Sequence, residues 1–327
     1  MKALVLEKAT KVADLKLSDI AIPEVKDDWV LVKVIAFGLN HSEVLFRQFE
    51  IDEPIFSKPR VPGIECVGII ENPSNTDLHK GDKIIALMGG MGRSFDGSYE
   101  EYVLLPRKNV FKVDTKLDWI HLAAIPETYF TAWGSLFTCL QLKESDSLLI
   151  RGGTSALGIA SIMLAKGLGC KVIVTARSNK HNAFLEHLGV DKIIIDTNNS
   201  IKDKLDEKVD KILELVGPLT LRESLSLLNE GGICCSTGIL GNVFTLDNFD
   251  PIKEIPNGCY LTGFYSNYPT QETIDEMMNF IDKHSIIPEI GKVYSFDDVV
   301  DFSKDLEDGQ TNGKGIVVVD KDLKKMI

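Results

Sequence analysis

The chain has 327 residues, 44% of them hydrophobic and 26% charged; these proportions allow a sizeable core and exclude wholesale disorder. Its 36 Lys and Arg against 48 Asp and Glu leave a net charge of −12, which argues against general binding to nucleic acid or anionic membrane surfaces. Two domains or one large α/β unit are expected, because single cores stop growing near ~250–300 residues.

The first 120 residues read as β-rich. Ala3 to Glu7 and Val30 to Ala36 are strand-like. Pro62-Gly63-Ile64-Glu65 leads into Val67 to Ile70, and Gly81-Asp82-Lys83 turns into Ile84 to Leu87. Gly97-Ser98-Tyr99 precedes another strand, Glu101 to Leu105. Closely spaced strands with turn signals between them predict a compact barrel-like module.

From about residue 121 the rhythm changes. Strand-like Leu148 to Arg151, Lys171 to Thr175, Lys192 to Ile195, Lys211 to Leu215, Ile233 to Ser236 and Tyr260 to Phe264 alternate with helical runs near Ala156 to Leu168, Lys180 to Leu188 and Leu219 to Leu228. Six strands with crossovers predict an α/β, doubly wound parallel sheet over 121–266. The tail, 267–327, reads as helices near Gln271 to His284 and Phe296 to Glu307 and a strand from Gly315 to Val319. With no long linker before it, this segment is expected to return and complete the 1–120 module.

No apolar run approaches the ~20 residues of a membrane span, and the acid at Glu7 comes too soon for a secretory apolar region. The expectation is a cytoplasmic chain. Cys66, Cys139, Cys170, Cys234, Cys235 and Cys259 are scattered, with no C-x-x-C pair to indicate a zinc ribbon. They read as small buried hydrophobes.

The most informative segment is Leu148-Leu149-Ile150-Arg151-Gly152-Gly153-Thr154-Ser155-Ala156-Leu157-Gly158, which opens into an apolar helix. A dinucleotide fold needs a tight turn here, a small residue for close pyrophosphate approach, and tight strand–helix packing. The helix N-terminus then presents free N–H groups and partial positive charge to phosphate. Gly153 and Gly158 take the first and third glycine places of G-x-G-x-x-G, and Ser155 the second, where it could donate a hydrogen bond. Gly153 to Gly158 are the candidate cofactor cradle.

The second strand bears on which dinucleotide. Preference for NAD normally comes from an Asp or Glu ~20 residues past the turn. That place here reads Thr175-Ala176-Arg177-Ser178, and no Asp or Glu occurs from Ser147 to Leu185. The same stretch carries Arg151, Lys166, Lys171, Arg177 and Lys180. Such a basic island fits a 2′-phosphate pocket, with Thr175, Arg177, Ser178 and Lys180 as candidates and NADPH as the expected cofactor. A merely solvated basic face is the alternative.

Other chemistries lack support. His41 has no partner at metal-ligand spacing, and no serine sits in a G-x-S-x-G elbow.

Together these residues carry a resemblance that covers essentially the whole chain. Gly38-Leu39-Asn40, Pro62-Gly63-Ile64-Glu65-Cys66-Val67-Gly68, Gly81-Asp82-Lys83, Gly97-Ser98-Tyr99, Thr131-Ala132-Trp133, the Gly153 to Gly158 turn, Gly231-Gly232 and Gly313-Lys314-Gly315 resemble the medium-chain dehydrogenase/reductase superfamily. Within it the chain is most similar to the zinc-free quinone oxidoreductases. The resemblance implies a GroES-like β-barrel catalytic domain beside a Rossmann domain. It also implies a homodimer paired through Tyr260 to Phe264.

In zinc alcohol dehydrogenases a Cys ligand stands where this chain has Asn40, and the histidine of Gly-His-Glu stands where it has Ile64. The four closely spaced cysteines of the structural-zinc lobe have no counterpart between Met88 and Tyr99. No bound metal is therefore expected. Without zinc to activate an alcohol, the resemblance implies hydride transfer from NADPH to a small-molecule electrophilic acceptor, a quinone or an α,β-unsaturated carbonyl. Asn40 would lie by the nicotinamide and acceptor, and Thr131 would bond the carboxamide. Leu45 takes the place of a tyrosine found in some quinone oxidoreductases, leaving His41, Arg47 or solvent as proton sources. An enoyl-thioester reductase and a non-catalytic NADPH-binding sensor or structural protein are the rival readings.

Overall fold

The computed structural model describes residues 1–325; Met326 and Ile327, the end of the return segment, lie outside the described residues. Two compact units emerge. One comprises 1–130 with 266–282 and the chain from 287 onward; the other comprises 131–265 with 283–286. The division falls at 130/131, ten residues past the expected 120/121, inside the helix Pro126–Trp133.

The first unit is organised by one long strand, Trp29–Gly38, apolar enough to be buried along most of its length. Along one edge it pairs antiparallel with Glu65–Asn72, which continues through Lys83–Leu87 to Val110–Lys112. Along the other it receives Tyr102–Pro106 opposite residues 29–33 and Lys314–Val318 opposite residues 36–38. The return strand therefore lands beside Gly38 and Asn40. Its outer neighbour, Ile290–Ser295, is parallel and was not expected from the sequence. Phe37 stacks on Tyr99 at 4.4 Å between ring centroids and meets Phe296 and Phe302 edge-on, closing this unit's core. The helix expected from Phe296 starts at Val299, because Phe296 is spent on that core.

The second unit is a six-stranded, all-parallel sheet in the order Lys192–Ile195, Lys171–Ala176, Ser147–Arg151, Val209–Glu214, Leu228–Ser236, Tyr260–Gly263. Numbered along the chain this is 3-2-1-4-5-6, the doubly wound arrangement whose crevice lies at the carboxyl ends of the strands. The unbroken apolar runs Leu148-Leu149-Ile150 and Val172-Ile173-Val174 are all at most 2% exposed, as strands of a parallel sheet buried on both faces are. The helix after the first strand, Ala156–Leu168, ends at Gly169 in the left-handed conformation.

All six cysteines are free, and Cys234 and Cys235 are both fully buried. No helix among the described residues is long and apolar enough to cross a membrane.

Candidate active site and dinucleotide turn

Asn40 lies two residues past the long strand and caps a short helix, His41–Gln48. The backbone N–H of Asn40 donates to Glu43 Oε2 at 3.0 Å, the return half of a capping box. Glu43 also accepts the Ile64 N–H (3.1 Å) and the Tyr99 hydroxyl (2.8 Å). Burial pushes its carboxyl up to about 7 against those hydrogen bonds. Burial, and then the neighbouring Glu43 charge, push the Tyr99 phenol well above its ordinary value. Residues 38–40, 62–65 and 97–99 of the sequence motifs are thus tied together by a single carboxylate network.

The half-exposed Asn40 side chain is held from both ends. Its Oδ1 accepts from Lys314 Nζ at 2.9 Å and its Nδ2 donates to Glu65 Oε1 at 2.7 Å. Lys314 and Glu65 form an ion pair at 2.5 Å with side chains only 3% and 0% exposed. The other Glu65 oxygen accepts the Glu127 N–H at 2.7 Å, at the start of helix Pro126–Trp133. Neither Glu65 nor Lys314 was singled out from the sequence. The available signal was a Lys immediately before the apolar strand Gly315 to Val319; the structure takes it into the strand as Lys314–Val318, where burial demands a partner.

Two candidate proton donors near Asn40 have different settings. Arg47 is buried, ion-paired to Glu307 and donating to the Thr10 carbonyl, so its guanidinium is committed to packing the short helix. His41 is exposed at the helix start, and Leu45 is partly buried. Thr131 lies in the second unit, 9% exposed, on helix Pro126–Trp133.

The glycine turn has the geometry the chemistry asks for, with the roles distributed differently from the fingerprint. Gly152, not Gly153, makes the left-handed bend, at φ +95°. A Cβ on Gly158 would meet the Gly152 carbonyl oxygen at 2.4 Å, so only glycine lets the helix seat on the turn. Ser155 does not present its hydroxyl to a ligand. It donates to the Gly152 carbonyl (2.8 Å) and caps the helix by accepting the Gly158 N–H (3.0 Å). Among the described residues the amides of Ala156 and Leu157 receive no such cap, leaving them for an anion at the helix N-terminus. Thr154 is partly exposed at the crest.

Thr175 also differs from its expected role. It is 3% exposed, and its hydroxyl accepts the Gly152 N–H at 3.0 Å while its carbonyl accepts that of Gly153 at 3.0 Å. It builds the turn and does not reach outward.

The basic island separates in space. Arg151 is completely buried and bonded to Asp196 (2.6 Å) and Glu223 (2.7 Å). Burial opposes ionisation of Glu223, but the Ser200 and Arg151 hydrogen bonds hold its carboxyl below the ordinary value. Lys166 pairs with Asp191 and Lys171 with Glu207. Three of the five cations are therefore neutralised by acids that arrive from other strands and loops. Arg177, Ser178 and Lys180 are exposed just past the second strand, and among the described residues no acid pairs with Arg177 or Lys180.

The positions that hold zinc in the alcohol dehydrogenases do not fit the ion here. Ile64 has no lone pair and is 4% exposed, and the oxygens of Asn40 and Glu65 facing each other are already bonded to an ammonium. Among the described residues no group of three or more His, Cys, Asp or Glu is placed to hold a metal.

A glycine turn on a doubly wound sheet, joined in one chain to a β module carrying a polar Asn–Glu–Lys cluster, defines a dinucleotide-dependent oxidoreductase architecture. Residues 26–115 match the family model described as alcohol dehydrogenase GroES-like domain, and residues 156–283 match that described as zinc-binding dehydrogenase. The quinone oxidoreductase of Homo sapiens is 32% identical over 238 residues, 70% of each chain. The solved quinone oxidoreductase from Coxiella burnetii shares the fold at TM-score 0.83 and 24% identity, covering 98% of this chain and 99% of its own. A mycobacterial protein complexed with NADPH does so at TM-score 0.83 and 21% identity, covering 98% and 100%. The chain belongs to the medium-chain dehydrogenase/reductase superfamily and is quinone oxidoreductase-like, an oxidoreductase that uses a nicotinamide cofactor.

Proposed function

We propose that this chain is an NADPH-dependent, zinc-independent reductase of quinones or α,β-unsaturated carbonyls, acting as a cytoplasmic homodimer. The observation that carries the cofactor choice is the end of the second strand. Arg177 and Lys180 stand exposed and, among the described residues, without an acid partner where a ribose-binding carboxylate would select NAD. The Ala156 and Leu157 amides, seated by Gly153 and Gly158, would hold the pyrophosphate. Thr154 and Ser178 would flank the phosphates, and Thr131 would orient the carboxamide. When bound, the reduced nicotinamide supplies a hydride to an electrophilic carbon.

The residues of the chain then have one electrostatic task. Hydride addition to a quinone or enone carbon drives an electron pair onto the acceptor oxygen, and a fixed N–H donor lowers the cost of that charge. Asn40 is the candidate donor. Solvent supplies the closing proton.

The test is steady-state oxidation of NADPH and of NADH with a panel of quinones, enones and enoyl thioesters. Turnover of quinones or enones with NADPH preferred is expected. Preference for the thioesters supports the enoyl reductase instead, and tight NADPH binding without turnover on any acceptor supports a sensor.

A further inference from the structure

We propose that Lys314 is a positioning residue that makes Asn40 a hydrogen-bond donor toward its ligand, so that the site offers a fixed N–H to an acceptor with a carbonyl-type oxygen. The proposal rests on the reading that Asn40 faces the electron acceptor.

An ammonium only donates hydrogen bonds, and a carboxylate only accepts them. Lys314 Nζ lies 2.9 Å from Asn40 Oδ1, and Glu65 Oε1 lies 2.7 Å from Asn40 Nδ2, while the two charges meet at 2.5 Å. Only one orientation of the amide satisfies this triangle. Turning it over would put N–H groups against the ammonium and a carbonyl oxygen against the carboxylate, both repulsive in a setting where Lys314 and Glu65 have almost no solvent to screen them. The triangle is itself pinned, because the second Glu65 oxygen holds the Glu127 N–H. Space for it comes from Gly38: a Cβ there would sit 2.3 Å from Lys314 Cε and 2.5 Å from Glu65 Oε1.

The remaining hydrogen on Asn40 Nδ2 has a poor internal acceptor, the Gly38 carbonyl at 3.4 Å. That N–H is the polar group Asn40 can give away, while its oxygen is occupied by the lysine. The site can therefore offer a carbonyl oxygen an N–H of fixed direction, while one lone pair of Asn40 Oδ1 is held by the lysine. In the reaction a hydride adds to the acceptor carbon, a π pair moves to its oxygen, the dinucleotide is oxidised by two electrons, and solvent protonates the product. Asn40 keeps its protons throughout.

The experiment compares wild type, Lys314→Met and the double variant Lys314→Met/Glu65→Gln, which leaves no lone buried charge should the single variant fail to fold. Readouts are kcat and KM for a quinone, the Kd for NADPH, and hydrogen exchange of the Asn40 side-chain amide by 15N NMR, assigned with Asn40→Asp. NADPH affinity should stay within about twofold, kcat should fall by roughly tenfold to a hundredfold, and the Asn40 amide should exchange at least about tenfold faster. Unchanged kcat, or unchanged exchange, in a folded variant overturns the proposal. Should wild type turn over no acceptor, the proposed reaction fails separately, and the exchange rates alone decide whether Lys314 fixes the amide.

Discussion

Arg177 and Glu100 show how differently two ionisable residues can be set by their surroundings. Arg177 has no acid within ion-pair reach among the described residues and lies just past the strand that buttresses the glycine turn. Arg177→Ala should weaken NADPH binding by about 1.5–3 kcal/mol, the range for a hydrogen bond to a charged group, and leave NADH nearly unaffected. Calorimetric titration of both dinucleotides checks this; equal losses would remove Arg177 from the 2′-phosphate site. Glu100 is 1% exposed, and burial, assisted by the charge of Asp96, pushes its carboxyl up to about 9. Between its ordinary value and about 9 the folded chain holds a proton that the unfolded chain releases, so stability falls as pH rises through that window. Glu100→Gln removes the titration, and its urea-unfolding free energy should fall less steeply than wild type from about pH 5 to about pH 9. Parallel curves would show that Glu100 is not the protonated group. At this scale the acid-poor stretch was misleading for Arg151, Lys166 and Lys171, which are paired with acids. Scarcity of acids along a stretch of chain says nothing of Asp196, Glu223, Asp191 and Glu207, which fold back onto it.

Among the elements, the helix Ala156–Leu168 and the strand Lys192–Ile195 have the bounds their patterns predict. An apolar run framed by Ser155 and Gly169 leaves the helix little choice. The helix His41–Gln48 was missed, although Asn40-x-x-Glu43 is a start signal, because a half-buried eight-residue helix carries little periodicity. Ile290–Ser295 was missed because none of its residues is fully buried and its partner, Lys314–Val318, lies beyond an intervening helix. The Asn40–Glu65–Lys314 triangle joins residues up to 274 positions apart, which no local pattern reports. Among the described residues the strand Tyr260–Gly263 pairs only with Leu228–Ser236, leaving that edge of the sheet open, and Tyr260 is 61% exposed. An open edge with an aromatic at its start suits isologous pairing with a second copy. Light scattering at micromolar concentration should return twice the chain mass, and Thr262→Pro, which removes a ladder N–H, should shift it toward the monomer. A wild-type monomer would discard the dimer.

For the molecule as a whole, two units carry the two halves of the chemistry. The parallel sheet supplies a helix N-terminus beside an exposed basic strand exit, and the β module supplies a polar cluster in which a lysine ammonium is bonded to the oxygens of Asn40 and Glu65. The central claim is that NADPH reduces an electrophilic acceptor here without a bound cation. The most direct measurement is the rate of NADPH oxidation by 1,4-benzoquinone before and after exhaustive dialysis against a strong chelator, with the metal content of the dialysed protein measured alongside. An unchanged rate in protein free of zinc is the predicted result; loss of activity on dialysis, restored by adding zinc, would contradict it.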